Sequence, residues 1–363
     1  MTISAKLLTW WDAGHADWPW RQTDDPYAIW VAEVMLQQTQ ISTVIPYYER
    51  WLAQFPTVEA LAAAPLDDVL KLWQGLGYYS RARYVWAAAQ QVVAEYDGQL
   101  PQTVAELMAL PGIGRYTAGA IASIAFGQPA PVLDGNVIRV LARLYNIEDD
   151  VTLTATKNRL WQLATELVPV ERPGAYNQAL MELGQTICHK GTPRCLLCPL
   201  AADCLARQQG TQAERPVRPP RKRIPHYDVV AAIIWHKADE ARQPQSRFLI
   251  AQRPLDGMLG GLWEFPGGKQ EPDETLPQTL QREIMEELGM EVKNGRFLTK
   301  INHAYTHFRI TLHAFHAYHV AGQPQHLAVK DHAWVRLADL DQYAFAVTNQ
   351  KIITALRQEV ELA

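Results

Sequence analysis

Hydrophobic residues follow two different spacings along this chain. In residues 1 to about 210 they recur at helical intervals, in stretches such as VWAAAQQVVAEY and TAGAIASIAF, and Pro and Gly interrupt these stretches. This spacing predicts helices joined by short connections. After residue 225 the pattern changes to alternation, in DVVAAIIW and RITLHAFHAYHV, around one helical stretch, TLPQTLQREIMEEL. The two patterns predict an all-α domain followed by an α/β domain.

A short basic segment separates the two patterns. Residues 211–225 contain four prolines and five Lys or Arg residues against a single acid. Such a composition is typical of an extended linker. We therefore predict domains at 1–210 and 226–363, joined by a basic, Pro-rich linker at 211–225.

Composition and charge narrow the class of protein. The 363 residues are 48% hydrophobic and 20% charged, as expected for a globular protein. The N-terminus lacks the pattern of a signal peptide, and no apolar run reaches the length of about 18 residues that spans a membrane. We expect a cytoplasmic monomer without membrane contact, associated with the nucleoid if the source is bacterial. The formal net charge of −4 does not by itself indicate a nucleic-acid binder, so any DNA-binding claim must rest on local sites.

All four cysteines lie within seventeen residues, CHKGTPRCLLCPLAADC. In a reducing compartment, thiols clustered in this way are typical of metal ligands rather than disulfides. Four thiolates can hold one zinc ion or one [4Fe–4S] cluster. Only the middle pair has the two-residue spacing of a zinc knuckle, and this favours a [4Fe–4S] cluster. Its ligands would be Cys188, Cys195, Cys198 and Cys204.

Glu33 is a candidate general acid. It lies in AIWVAEVML, where every other residue is apolar, so a helix here has no solvated face for a carboxylate. Burial of a carboxylate raises its pKa, and Glu33 should therefore carry a proton near neutral pH. A carboxylic acid protonated near neutrality is suited to donate a proton in catalysis.

Two further stretches carry candidate chemistry. In LPGIGRYTAG, Gly112 and Gly114 form a tight turn before a helix, where backbone N–H groups can approach a phosphate. In PVLDGNVIRV, Asp134 directly precedes an apolar helix, so it is predicted to cap that helix.

The cysteine spacing, the glycine turn and the PVLDGN stretch together resemble the endonuclease III and MutY family of DNA glycosylases. The resemblance implies a helix-hairpin-helix α-domain with an iron–sulfur loop at 188–204, and a role in base excision repair. It implies that Glu33 protonates the departing adenine while Asp134, with Asn136 beside it, stabilises positive charge on the sugar. Members that also cut the strand carry a Lys in the hairpin, where this chain has Tyr116. The resemblance therefore implies a monofunctional glycosylase in which Tyr116 orders the site by hydrogen bonding.

The same resemblance implies contacts with duplex DNA and with the base that is flipped out of it. By this resemblance, Gln38 and Tyr78 would insert into the base stack. Arg81 and Arg83, close to Tyr78, are candidates to bind phosphates, and the alternative for them is a solvated start of a helix. Gly112 and Gly114 of the glycine turn are the other candidate DNA contacts. Residues that would line the adenine pocket are Trp20, Arg21 and Gln178.

The second domain resembles the MutT-like Nudix family. The stretch GKQEPDETLPQTLQREIMEELGM matches nine motif positions over 23 residues. In MutY-type proteins this domain recognises 8-oxoguanine, and the resemblance assigns that role to Tyr305, Thr306 and His307, where a Phe-Ser-His segment is typical. The complete motif also predicts a Mg²⁺ site, with Asn349 at a purine-reading position. The residues of this site would be Glu274, Arg282, Glu283, Glu286 and Glu287.

We expect an adenine DNA glycosylase that flips and excises adenine opposite 8-oxoguanine, or guanine, in duplex DNA. One alternative is a nucleotide pyrophosphatase acting on 8-oxo-dGTP, whose α-domain only tethers it to DNA. Another is a non-catalytic lesion binder. The presence of both Glu33 and Asp134 argues against these alternatives, and hydrolysis by the Nudix motif as a second activity is left open.

Overall fold

The computed structural model describes residues 1–220, 223–236, 243 and 245–361. By its contacts the chain divides into two compact units, Met1–Ala63 with Tyr84–Arg221, and Ala64–Arg83 with Lys222–Ala363. This division differs in one place from the predicted domains, because segment 64–83 groups with the C-terminal part. The bounds 1–210, 211–225 and 226–363 stay a prediction, and residues 221 and 222 of the predicted linker lie outside the described residues.

The first unit is helical in its described part, as the spacing of its apolar residues predicts. Its α-helices are α1 (Ile3–Asp12), α2 (Pro26–Leu36), α3 (Ile41–Gln54), α4 (Val58–Ala63), α6 (Ser80–Tyr96), α7 (Val104–Ala109), α8 (Arg115–Ile124), α9 (Gly135–Leu144), α10 (Thr154–Leu167), α11 (Pro173–Thr186) and α12 (Leu205–Gln208). Two 3₁₀ turns, Pro19–Arg21 and Cys195–Leu197, complete it. Helix α6 begins within the segment that groups with the second unit. Helix α5 (Leu66–Trp73) is described with the second unit, because it lies in that segment.

Helix α9 and helix α11 form the centre of the first unit. The apolar face of α9, including Val140 and Leu141, packs with Leu180 and Leu183 of α11 in one buried cluster. Gly184 allows this close approach, since a Cβ there would lie 2.7 Å from the Cβ of Asn136. Helix packing in this unit therefore positions the N-terminus of α9, where Asp134 lies.

The second unit is built on a mixed six-stranded sheet. Its strands are β1 (His226–Trp235), β2 (Arg247–Gln252), β3 (Trp263–Glu264), β4 (Glu291–Ala304), β5 (Arg309–Ala321) and β6 (Asp331–Arg336). The order is β3-β2-β1-β5-β4, with β6 paired to β2. Strand β1 runs parallel to β5 over ten residue pairs, from His226 opposite Arg309 to Trp235 opposite Tyr318.

One helix covers each face of this sheet. Alternate residues of β1 point to opposite faces: Ile233 packs in the cluster that contains Ile352 of α14 (Val347–Glu361), and Ile234 packs in the cluster that contains Ile284 of α13 (Leu276–Leu288). The sequence analysis predicted α13 but not α14. The α/β architecture is confirmed, with this second helix as an addition.

Segment 64–83 is held to the sheet unit by polar contacts. Lys71 Nζ donates to the carbonyl oxygen of Tyr343 at 3.0 Å, and the Phe345 N–H donates to Gln74 Oε1 at 2.9 Å. Gln252 Nε2 donates to Asp67 Oδ1 at 3.0 Å. Among the described residues, no helix combines the length and the apolar composition needed to cross a bilayer.

Candidate active site

Glu33 lies inside the first unit on α2, a helix that is buried on all sides. Asp25 caps the helix by accepting from the Tyr27 N–H at 3.0 Å, and Pro26 occupies its first position. Every residue from Tyr27 to Met35 is buried, and Glu33 itself is only 6% exposed. Burial raises the pKa of Glu33 to about 7, opposed by the hydrogen bond from Tyr116 and reinforced by the negative charge of Asp134. The pKa of this carboxyl group is therefore raised toward neutral pH, in the direction that the sequence predicts.

Asp134 caps α9, and its carboxylate is held at both oxygens. Oδ1 accepts from the N–H groups of Asn136 and Val137 at 2.9 and 2.7 Å, and Oδ2 accepts from Asn136 Nδ2 at 2.8 Å. Burial raises the pKa of Asp134, and these hydrogen bonds oppose that effect. A carboxylate with three donors keeps one orientation and favours its charged form relative to an unbonded acid.

The glycine turn connects α7 to α8, the helix that carries Tyr116. Gly112 adopts φ +74°, and a Cβ there would lie 2.4 Å from the Cβ of Tyr84, so glycine is required on both counts. Gly114 precedes α8 as its N-cap, and both glycines are exposed. On the first turn of α8, the Tyr116 hydroxyl donates to Glu33 Oε2 at 2.8 Å. The predicted ordering role of Tyr116 thus has a specific partner.

These side chains meet at one cavity of about 480 Å³. Seven residues that the sequence analysis singled out line it: Trp20, Arg21, Glu33, Tyr116, Asp134, Asn136 and Gln178. They come from five separate segments of the chain. The volume is within the range of small-molecule sites, and a purine base fits in such a space.

Sequence reasoning missed the rest of the α11 wall. Gln178, Met181, Glu182 and Gln185 all line the cavity, at positions i, i+3, i+4 and i+7 of one helix. Glu182 is buried, accepts from Arg21 Nη1 at 2.5 Å, and accepts from the Ala16 N–H at 3.3 Å. The helical spacing from Gln178 was the available clue, since residues at these positions share one face.

A chain of hydrogen bonds connects Asp134 with the cysteine loop. Arg139 Nη2 donates to Asn136 Oδ1 at 2.8 Å, and its Nε donates to the carbonyl oxygen of Cys188 at 2.7 Å. The buried Arg143 donates to the same carbonyl at 3.2 Å and to Cys188 Sγ at 3.3 Å. Two arginines of α9 therefore tie the segment at Cys188 to the helix that Asp134 caps.

The four cysteines surround a small space of about 30 Å³. Burial, together with the negative charges of the other three cysteines, raises the pKa of Cys198 to about 11. Four sulfur donors around one space are a ligand set that suits a zinc ion or an iron–sulfur cluster.

Of the predicted DNA contacts in the turns, Gln38 and Tyr78 share an uncommon backbone conformation. Both have positive φ, +57° and +49°, and both are exposed. A non-glycine residue in this region projects from a tight turn at some cost in energy, which is typical of functional positions.

The two predicted phosphate contacts are placed differently from the expectation. Arg81 is buried, and its Nη2 donates to the carbonyl oxygens of Gly77 and Leu76 at 3.1 and 3.4 Å. Its guanidinium therefore braces the turn before Tyr78, which corrects the expected exposure to DNA. Arg83 Nη1 donates to the Gly260 carbonyl at 2.7 Å within the second unit.

The residues predicted to read the lesion form the turn between β4 and β5. The Tyr305 N–H donates to the carbonyl oxygen of Phe308 at 2.8 Å, which closes the turn, and Thr306 and His307 are exposed at its tip. Tyr78 OH and Thr306 Oγ1 are hydrogen-bonded at 2.8 Å. Tyr78, predicted to contact DNA, and Thr306, predicted to read the lesion, are thus neighbours within the second unit.

The Nudix motif lies beside a second cavity, of about 390 Å³. Glu283 and Glu287 of α13 line it, and so do Glu264 of β3 and Asn349 of α14. Burial, together with the nearby charges of Glu264 and Glu283, raises the pKa of Glu287 to about 8. Gly268 allows this arrangement, since a Cβ there would lie 2.3 Å from the Glu283 carboxyl.

Glu283, Glu286 and Glu287, predicted to bind Mg²⁺, share one face of α13 but lie differently with respect to this cavity. Glu286 is exposed outside the cavity and pairs with Arg282 Nη1 at 2.9 Å. Arg282 also binds Glu274 at 2.6 Å and Glu283 at 3.1 Å. Glu264 takes the third place in the cavity, because β3 brings it across from α13. Spacing along one helix could not predict this carboxylate from another element.

Both parts of the chain are similar to known protein families. Residues 31–166 match the family described as HhH-GPD superfamily base excision DNA repair protein, and residues 240–355 match the NUDIX domain. The human protein named Adenine DNA glycosylase is 38% identical over 357 residues, covering 85% of this chain and 65% of the human protein. The mouse protein of that name is 39% identical over 362 residues, covering 86% of this chain and 69% of the mouse protein.

A solved structure supports the fold of the helical unit. A thermostable thymine-DNA glycosylase matches with a TM-score of 0.53 and 30% identity, covering 57% of this chain and 95% of the glycosylase. The chain spans about two thirds of the length of the two curated relatives, 65% and 69%.

Proposed function

Because the chain belongs to the adenine DNA glycosylase family, we propose that it excises adenine from duplex DNA and leaves an abasic site. The observation that carries this proposal is the pair of unequal carboxyl groups in one cavity. Glu33 is buried with a single hydrogen-bond donor, whereas Asp134 accepts three hydrogen bonds. Such a difference assigns proton donation to Glu33 and charge stabilisation to Asp134.

The reaction begins when the base leaves the stack and enters the cavity of about 480 Å³. Glu33 donates its proton to a ring nitrogen of adenine, and the glycosidic bond breaks as the base departs neutral. The negative charge of Asp134 stabilises the oxocarbenium-like sugar, which water then captures. Tyr116, with its hydroxyl on Glu33 Oε2, holds the acid in place.

Glu182 offers a contact for the base itself. Adenine carries an exocyclic N6 amino group that donates hydrogen bonds. The Glu182 carboxylate, oriented by Arg21 and the Ala16 N–H, is an acceptor on the cavity wall. Since guanine presents an oxygen at this place, a fixed carboxylate disfavours it and selects adenine.

A monofunctional reaction is supported by the residues that line the cavity. Lysine does not occur among the described residues of the cavity wall, so no amine is placed to attack the sugar. The hairpin position instead holds Tyr116, whose hydroxyl is bonded to the acid.

We propose 8-oxoguanine, and also guanine, as the base opposite the adenine. The support is the turn of Tyr305, Thr306 and His307 and its hydrogen bond to Tyr78. Gln38 would contact the DNA stack from its own exposed turn.

A [4Fe–4S] cluster is the cofactor that we propose for the cysteine loop. Cys188, Cys195, Cys198 and Cys204 would hold it, since all four line one space, and their spacing in the sequence supports a cluster over one zinc ion. When bound, the cluster supplies a rigid core for its loop. Arg139 and Arg143 then connect that loop to the helix of Asp134.

The test uses the full chain and a duplex with one adenine opposite 8-oxoguanine. Adenine release should make the strand labile to alkali, and no cleavage should occur before alkali is added. Matched duplexes with adenine opposite thymine serve as the control. Absence of adenine release would contradict the proposed activity, and cleavage without alkali would contradict a monofunctional reaction.

A second activity at the Nudix motif is the other candidate. Its support is the cavity that joins Glu264, Glu283 and Glu287 with Asn349 and the cationic Lys269. Mg²⁺ binds to one or two carboxylates and keeps several waters, and it would relieve the repulsion among these acids. An oxidised purine nucleotide such as 8-oxo-dGTP would place its base at Asn349 and its phosphates at the metal.

The corresponding experiment uses the full chain with Glu33→Gln, so that base excision does not interfere. Pyrophosphate release from 8-oxo-dGTP with Mg²⁺ should disappear when Glu287→Gln is added. Glu291→Gln, an exposed acid at the start of β4, is the matched control. If pyrophosphate is not released above the rate without protein, the motif has no hydrolase activity.

A further inference from the structure

Three polar residues outside both cavities meet on the surface of the second unit. His326 lies in the loop between β5 and β6, and Asp331 and His332 are the first two residues of β6. The side chains of His326 and Asp331 are about half exposed, 46% and 55%. None of the three lines the cavity of Glu33 and Asp134 or the cavity beside the Nudix motif.

The distances among their donor atoms are those of a metal site. His326 Nε2 lies 2.8 Å from His332 Nδ1 and 3.7 Å from Asp331 Oδ1. One ligand atom of each residue lies within 4.8 Å of the other two. Ligands bound at about 2.0–2.1 Å in tetrahedral geometry lie about 3.3–3.4 Å apart. The separation of 2.8 Å is shorter than this value and that of 3.7 Å is longer, so shifts of about half an ångström would bring both pairs of atoms to tetrahedral spacing.

The chemistry of the donors selects the class of ion. Two imidazole nitrogens and one carboxylate oxygen suit Zn²⁺ and similar divalent transition metals, whereas Mg²⁺ and Ca²⁺ prefer oxygen alone. The two imidazole nitrogens share a hydrogen bond of 2.8 Å, and a bound ion would take the place of the shared proton. We propose that His326, Asp331 and His332 form a surface site for a divalent transition-metal ion such as Zn²⁺, with water in the remaining position.

The scaffold around the three residues is already ordered for binding. The His332 N–H donates to Asp331 Oδ1 at 2.7 Å, which orients the carboxylate. Strand β6 pairs with β2, where Asp331 lies opposite Gln252 and His332 opposite Ala251. A site built on a paired strand loses little conformational freedom when it binds the ion.

The loop of His326 is fastened to the end of the Nudix helix. The Gln325 N–H donates to the carbonyl oxygen of Leu288 at 2.8 Å, and the Leu327 N–H donates to that of Glu287 at 3.2 Å. A bound ion would connect this loop to β6 and thereby brace the end of α13. We therefore expect metal binding to raise the thermal stability of the second unit.

The experiment titrates the full chain with Co²⁺ and follows its absorption spectrum. Cobalt bound to histidine and carboxylate shows visible d–d bands without the thiolate-to-metal charge-transfer band that the cysteine loop would produce. Added Zn²⁺ should remove the d–d bands, and both ions should raise the melting temperature.

Three variants and one control make the assignment specific. His326→Ala and His332→Ala should each weaken Co²⁺ binding at least about tenfold, and Asp331→Asn should weaken it less. His15→Ala, which removes an exposed histidine of the first unit, should leave the affinity for Co²⁺ unchanged. Unchanged affinity in the double variant His326→Ala/His332→Ala, or a spectrum that contains only thiolate bands, would overturn the proposal.

Discussion

The two cavities differ in how they treat their acidic residues. In the helical unit, Glu33 and Asp134 are separated in role, because one has a single hydroxyl donor and the other has three donors. In the sheet unit, Glu264, Glu283 and Glu287 line one cavity, and burial together with the charges of Glu264 and Glu283 raises the pKa of Glu287 to about 8. The second cavity also contains Lys269 and Arg253, of which Arg253 pairs with Glu264 at 2.6 Å. We propose acid catalysis at the first cavity and binding of a divalent cation at the second.

The largest expected effect comes from Glu33→Gln. An amide keeps the size of the side chain and its hydrogen bond from Tyr116 but cannot donate the acidic proton. Single-turnover adenine release should fall by about 10²- to 10⁴-fold while binding to the lesion duplex is retained. Glu166→Gln, an exposed acid on α10, is the control. Near-normal excision by Glu33→Gln would remove Glu33 from the role of acid.

Asp134→Asn should reduce excision by about 10²- to 10³-fold, because the amide cannot stabilise positive charge on the sugar. Asparagine is itself a good N-cap, so the free energy of unfolding should change little. Single-turnover kinetics and denaturant unfolding of the same preparation separate the two effects. A loss of stability that parallels the loss of activity would show that Asp134 acts only as a cap.

Stability at different pH values tests the separation of roles directly. Glu33 has a folded pKa of about 7 against an ordinary value of 4.5, so the unfolded state loses its proton first and native stability falls as pH rises between these values. Glu33→Gln removes this loss and should stabilise the protein by up to about 3 kcal/mol at pH 8, but not at pH 4. Denaturant unfolding at both pH values measures this. Equal effects at pH 4 and pH 8 would contradict the elevated pKa.

In the sheet unit, the corresponding experiment measures the stability of Glu287→Gln and its response to Mg²⁺. Glu287→Gln should also stabilise the chain at high pH without metal, since burial raises the pKa of Glu287 to about 8. In wild type, Mg²⁺ should raise the melting temperature, and in Glu287→Gln this response should be smaller. If Mg²⁺ shifts both proteins equally, the cation does not bind at the three carboxylates.

The pH dependence of catalysis should follow the protonated form of Glu33. Since this form is lost above about pH 7, the rate of the chemical step should fall about tenfold per pH unit at higher pH. Single-turnover rates between pH 6 and pH 9 provide the measurement. A rate independent of pH in this range would mean that another group supplies the proton.

The smallest expected effect is at the turn between β4 and β5. Thr306→Ala removes the hydroxyl bonded to Tyr78, and the loss of one such bond corresponds to about 1 kcal/mol, or about fivefold in preference for 8-oxoguanine over guanine. Thr354→Ala, an exposed hydroxyl on α14, is the control. An unchanged preference would count against a reading role for this turn.

Local pattern determined much of this protein in advance. The helices of the first unit, the cap at Asp134, the turn at Gly112 and the helix of the Nudix motif all follow from residue spacing and from the conformations that Gly and Asp favour. The elevated pKa of Glu33 also followed from the sequence, because a helix that is apolar all round leaves a carboxylate no contact with water.

Only the tertiary structure decided which residues share a site. Glu182 and Glu33 line one cavity because α11 and α2 both pack against α8. Glu264 lines the Nudix cavity beside Glu283 and Glu287 although it lies on β3 and not on α13. Arg81 is buried and braces a turn instead of facing solvent. His326 approaches His332 only because its loop is fastened to the end of α13. Residue spacing determines the faces of single helices and strands, whereas contacts between elements distant in sequence depend on how those faces pack.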